Sequence, residues 1–201
     1  MIYTPTSQPV RQKYYQLIGR FILRFEHITS CLRDDGILPF FSTHADHENA
    51  RMLLDNWQSI DALRQLYFRL IKRDLVSRPG LDNLLNQITE QVSEVIKMRN
   101  RIAHTAYQFW DEPTESNLEG LNIRKNRVES LSIEELKEAN RKVARVHCIL
   151  RRLWGAVSLE LGGQLGVGCI EKNIYLDSKN KLSCSDWEKE SHLLEAELAT
   201  V

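Results

Sequence analysis

Near the middle of the chain, Arg99-Asn100-Arg101-Ile102-Ala103-His104 places three chemically useful side chains within about one and a half helical turns. Arginine presents a planar fork of donors that suits phosphoryl oxygens, and histidine titrates near neutrality and so can move protons at physiological pH. Asparagine can orient the histidine or donate to a phosphate itself. At about 100° per residue Asn100 and His104 share a helix face, and Arg99, roughly 100° round from Asn100, can swing over on its long stem. The three groups can thus converge on one small volume.

The element that must position them is a helix beginning near Leu81. Leu81, Leu84, Leu85, Ile88, Val92, Val95 and Ile96 recur at three-and-four spacing, one apolar stripe. The same rule carries the stripe on through Arg99, Asn100 and Ala103, so a guanidinium and an amide stand where a core or an interface belongs. A buried charge is unfavourable unless paired. Two readings follow: a cleft that accepts a phosphate, or a structural arginine paired with a carboxylate of another helix, with His104 favoured by the helix C-terminal dipole.

Arg, four residues, then His, with a polar residue directly after the Arg, at the end of an amphipathic helix in a helical chain of this size, resembles the HEPN superfamily. The resemblance covers about residues 12–161. It implies metal-independent endonucleolytic cleavage of RNA with Arg99, Asn100 and His104 as the catalytic set and no cofactor. One chain supplies one such histidine, whereas acid and base need two groups or one acting twice. The symmetric dimers with a shared cleft that the resemblance implies would meet that need. A polar residue of the first helix often supports the motif arginine in this superfamily, which makes Glu26 the candidate partner of Arg99. Roles in toxin–antitoxin systems and phage defence, with an antitoxin or regulatory protein as partner, are common among relatives. Some toxin-associated members carry His, one residue, then Tyr; here Tyr107 lies three residues after His104, a departure. The alternative is a non-catalytic interaction or nucleotide-binding module of the same fold.

Composition sets the frame. The 201 residues are 42% hydrophobic and 27% charged, which suits one domain with a sizeable core. Lys plus Arg and Asp plus Glu number 27 each, so any RNA binding must come from a local patch. Cys31, Cys148, Cys169 and Cys184 form no C-x-x-C pair, which indicates neither a zinc site nor a disulfide framework and points to a reducing cytoplasm. Residues 1–11 have no apolar leader core, and no stretch reaches the ~18 apolar residues of a membrane span.

The expected architecture is all-α: an up-and-down bundle of four main helices around 12–33, 46–75, 81–105 and 132–161, with a core over 12–161 and an extension over 162–201. Tyr14, Leu17, Ile18, Phe21, Ile22, Phe25, Ile28 and Leu32 trace the first helix, which the turn signal Asp34-Asp35-Gly36 ends. His44, Asp46, His47 and Glu48 suggest metal ligands, but acidic residues are favoured at a helix start anyway and no third cluster stands nearby. A small hairpin or loop excursion is expected after the third helix. It carries Arg124, Lys125 and Arg127, either a solvated loop or a basic finger for RNA phosphates. Ser132 and Glu135 form a capping-box pattern opening the fourth helix, on which Arg141, Lys142, Arg145, Arg151 and Arg152 make a basic stripe, with Arg141 and Arg145 as further RNA candidates. The glycine-rich run at 162–168 lacks the Lys-Ser/Thr of a P-loop and reads as a helix stop. A strand or irregular segment over 170–176 and a short acidic helix over 185–198 complete the chain.

Overall fold

The computed structural model describes residues 8–40, 44–55, 59–74, 80–107, 118–122, 125–161, 174–179 and 181–201. Among these, helices dominate: α1 (Gln8–Ser30), α2 (His44–Asp55), α3 (Ile60–Asp74), α4 (Leu81–His104), α5 (Ile133–Leu161) and α6 (Trp187–Ala199). Strands β1 (Thr105–Tyr107), β2 (Leu118–Asn122) and β3 (Arg127–Leu131) form one antiparallel sheet in that order; β4 (Ile174–Leu176) and β5 (Leu182–Cys184) form a separate hairpin. The all-α bundle expected from the apolar stripes is what the chain builds.

Its centre is the packing of α1 along α5. Tyr14, Leu17, Phe21, Phe25 and Ile28 of α1 and Leu136, Val143, Val146, Leu150 and Leu153 of α5 are buried in one continuous core. Each such leucine or phenylalanine contributes about 1.5–3 kcal/mol by leaving water. One polar group sits among them. Asn140, fully buried, donates from Nδ2 to the Leu17 carbonyl at 3.0 Å and the Leu136 carbonyl at 2.9 Å, while its Oδ1 accepts from Arg24 at 3.0 Å. Every polar atom of that side chain is used, so Asn140→Ala is expected to lower stability by about 1–3 kcal/mol, read from the urea midpoint at unchanged slope.

Four local features differ from the sequence expectation. The helix expected over 46–75 is two, because the Ser59 carbonyl receives the Ala62 and Leu63 amides at 3.1 and 3.2 Å and starts α3 afresh. The first helix does not stop at Asp34-Asp35-Gly36; it runs into a π-helical coil (Cys31–Ile37) and a 3-10 turn (Leu38–Phe40). Gly36 makes that possible, since a Cβ there would stand 2.7 Å from the Cys31 carbonyl oxygen and 2.8 Å from the Tyr67 ring. After α4 the chain forms three strands in place of a hairpin, because Thr105 goes extended (φ −99°, ψ 114°) and β1 pairs with β2. The last expected helix begins after a second hairpin; its preceding residues 170–173 lie outside the described set.

The capping box is present as expected: the Ser132 amide donates to Glu135 Oε2 at 2.8 Å and the Glu135 amide to Ser132 Oγ at 3.1 Å. Among the described residues, no helix is long and apolar enough to cross a membrane.

Candidate functional site

The last turns of α4 hold Arg99, Asn100 and His104, all half-buried. Ile102 is buried and Ala103 exposed, so Ile102, not Ala103, carries the apolar line onward. The Arg99 guanidinium lies over the Phe25 ring, 5.8 Å from its centroid, and makes a long 3.4 Å hydrogen bond from Nη1 to Asn100 Oδ1. Among the described residues no carboxylate pairs with Arg99. Glu26, the expected partner, is exposed on α1, about 100° round from Phe25.

The arginine that is paired structurally is Arg101. It reaches Glu135 at 3.2 Å and Glu129 at 3.6 Å and donates to the Ser130 carbonyl. Glu129, only 7% exposed, also gathers Lys125 at 3.1 Å and Arg127 at 3.0 Å. Burial would raise the Glu135 carboxyl, but the Ser132 amide and Arg101 outweigh it and hold the group below the usual carboxylate range. The sheet is thereby clamped to the final turn of α4, and three cations meet two carboxylates there.

The other expected basic groups have different surroundings. Arg124 lies outside the described residues. Arg141 binds Glu195 at 2.7 Å with Glu138 at 3.6 Å, and Arg145 covers the Trp187 ring at 4.9 Å. Arg151 pairs with Glu190 at 3.3 Å and Arg152 with Asp186. Arg141, Arg151 and Arg152 are thus met by acids of α6 and the turn before it, and Lys142 by Glu94 of α4 at 3.1 Å; the sequence shows both signs of charge but not that they face each other. His44 opens α2, and the side chains of His44, Asp46 and His47 lie outside the described set; among the described residues no group of three or more His, Cys, Asp or Glu is placed to hold a metal.

Sequence reading missed one pair. His27 of α1 and His147 of α5 stack with ring centroids 5.5 Å apart at 25°. Burial, aided by His27 and Arg151, pushes the His147 imidazole down to about 4. An unfolded histidine titrates near 6.5, so the unfolded chain takes up a proton first as pH falls. Stability contributed by neutral His147 is therefore complete above about pH 6.5 and is lost progressively toward about pH 4. One titrating group limits the slope to about 1.4 kcal/mol per pH unit. Urea midpoints at pH 7.5, 5.5 and 4.5 check this: His147→Gln is expected to flatten the decline between the first two.

The fold and the end of α4 define a helical-bundle protein in which, among the described residues, no carboxylate pairs with Arg99, five positions before the helix-terminal His104. No family model, curated protein or solved structure matches this chain.

Proposed function

We propose that the chain is a HEPN-like, metal-independent endoribonuclease. The observation that carries this reading is Arg99: half-buried, braced by Phe25 and Asn100, and without a carboxylate among the described residues, while Arg101, two residues on, takes Glu129 and Glu135. A guanidinium in that setting is preorganised for an oxyanion. In the reaction His104 takes the 2′-hydroxyl proton, the 2′-oxygen bonds to phosphorus, and the bond to the leaving 5′-oxygen breaks as a second proton is delivered. Arg99 stabilises the charge on the phosphoryl oxygens, and Asn100 orients the groups. A homodimer places two copies of His104 at one cleft as acid and base. Lys125 and Arg127, tethered through Glu129 to the α4 end, hold flanking phosphates, while Arg141 and Arg145 dock α6. The biological role that fits is a cytoplasmic toxin or defence effector under the control of a partner protein.

The test is incubation of the purified full chain with single-stranded RNA in EDTA. Products ending in 2′,3′-cyclic phosphate and 5′-hydroxyl support the reading; intact RNA at enzyme excess refutes it and leaves a non-catalytic module.

A further inference from the structure

The outward face of α1 is built unlike that of α5, the helix it packs along. Of the exposed positions between 12 and 26, Glu26 alone carries a formal charge; the others are Gln12, Tyr15, Gln16, Gly19 and Leu23. Tyr15 and Leu23 stand 61% and 67% exposed. On α5, every exposed residue among those described is charged: Glu134, Glu135, Glu138, Lys142 and Arg151. A solvated helix face is ordinarily charged, whereas a face depleted of charge that keeps aromatic and apolar surface has the composition of an interface core.

At the middle of this face is Gly19, two residues from the buried Phe21 and so about 200° round the helix from it. Inside a helix, glycine is less stable than alanine. Its φ is not in the left-handed region, where among the described glycines only Gly80 falls, and an added Cβ would meet nothing within 4 Å. The fold by itself gives alanine no disadvantage at this position, so what the missing Cβ admits comes from outside the chain. The spacing about Gly19 is symmetric: Tyr15 and Leu23 lie four residues to either side, Gln12 and Glu26 seven. A two-fold axis through Gly19, perpendicular to α1, lays a second α1 antiparallel to the first. Tyr15 of each copy then meets Leu23 of the other, and the Gln12 amide of each can donate to the Glu26 carboxylate of the other. A parallel pair would set the two Glu26 carboxylates side by side, which is repulsive. The face is thus complementary to itself in the antiparallel sense, as an isologous interface requires.

We propose that α1 docks on α1 of a second copy of this chain, antiparallel and crossing at Gly19. Glycine at the crossing lets the two axes approach to the short end of the roughly 8–10 Å at which helices pack. From Gln12 to Glu26 the face is about 21 Å long. That is too short to supply alone the ~800 Å² per partner of a stable interface, so flanking elements join it. One flank is α4, whose Arg99 guanidinium lies over Phe25, the residue before Glu26. The crossing therefore lays the N-terminal half of the second copy's α1 along the stretch of α1 that carries Arg99, and symmetry repeats this on the other side. This surface supplies the dimer that the nuclease reading calls for, and in that role it rests on that reading; the composition and spacing that define it do not.

Sedimentation velocity of the full-length protein across the micromolar range, with a melting curve on each preparation, tests the surface. The parent should sediment as a dimer. Leu23→Glu, which alters an exposed side chain and leaves the core intact, should weaken association about a hundredfold or more, because two unpaired carboxylates enter an apolar contact, and should leave a monomer that melts cooperatively. Leu193→Glu, the same change at an exposed leucine of α6, should leave the dimer in place. Gly19→Ala should act with opposite signs in two backgrounds. In the parent it fills the crossing and should weaken association about tenfold or more. In the monomeric Leu23→Glu background it should raise the melting temperature by about 1–4 °C, since alanine is the better helix former. RNA cleavage in EDTA is measured on the same samples. An inactive parent whose dimer is lost in Leu23→Glu sinks the nuclease reading and upholds the surface. An active parent whose dimer survives Leu23→Glu overturns the surface and leaves the reaction standing. A parent that is monomeric throughout, the result expected if another protein or nothing covers this face, overturns the surface as well.

Discussion

His104→Ala is expected to slow single-turnover cleavage of single-stranded RNA in EDTA by about 10²–10⁴-fold while the protein stays folded, because what is lost is proton transfer. His104 is half-buried at the last position of α4, so truncation there removes little from the core. Arg99→Ala should give a loss of similar size for another reason, the removal of a few kcal/mol of charge stabilisation in the transition state. Lys at position 99 should restore only part, since an ammonium cannot present two parallel donors or lie flat on Phe25. The pH profile separates the two variants. An alanine at 104 removes the proton-transferring group and flattens the profile, whereas an alanine at 99 keeps the profile and lowers its height. Cleavage unchanged in His104→Ala would refute the enzyme reading.

The helices over 81–104 and 133–161 were legible because each has one apolar stripe with a recognisable start, whereas the division of 46–75 into two helices was not. Leu81 through Ile96 recur at helical spacing, Gly80 at φ 93° opens α4, and the Ser132–Glu135 pair caps α5 as its spacing predicts. What the stripes could not reveal was partner choice between distant segments. Nothing near Asn140 in sequence signals that it will bind the Leu17 carbonyl, and His27 and His147 look unrelated until α1 lies along α5. Local geometry was hidden for a different reason. Asp34-Asp35-Gly36 has the composition of a turn, but Gly36 is there because the coil passes too close to Cys31 and Tyr67 for any Cβ. At the candidate site the motif was visible and its wiring was not. Two arginines lie two residues apart, and only the fold assigns the carboxylates to Arg101.

That assignment makes the second large expectation a contrast in stability. Arg101→Ala leaves Glu129, 7% exposed, without the cation that ties it to α4, and removes the Ser130 carbonyl and Glu135 contacts at once. Breaking a buried pair by deleting one member costs about 3–5 kcal/mol; Lys125 and Arg127 still attend Glu129, so about 2–3 kcal/mol is expected. For a chain of 201 residues that is a fall in melting temperature of about 5–10 °C. Glu129→Gln on the Arg101→Ala background should recover part of the loss, because the neutral amide needs no cation, and the coupling read from the double-mutant cycle isolates the pair. Arg99→Ala forfeits only its placement over Phe25, about 0.5–1 kcal/mol, and should melt within about 3 °C of the parent. Differential scanning calorimetry on the four proteins decides between the roles. If Arg99→Ala proves the more damaging of the two single substitutions, then Arg99 is a structural residue, and the case for a phosphate at the end of α4 loses the observation on which it stands.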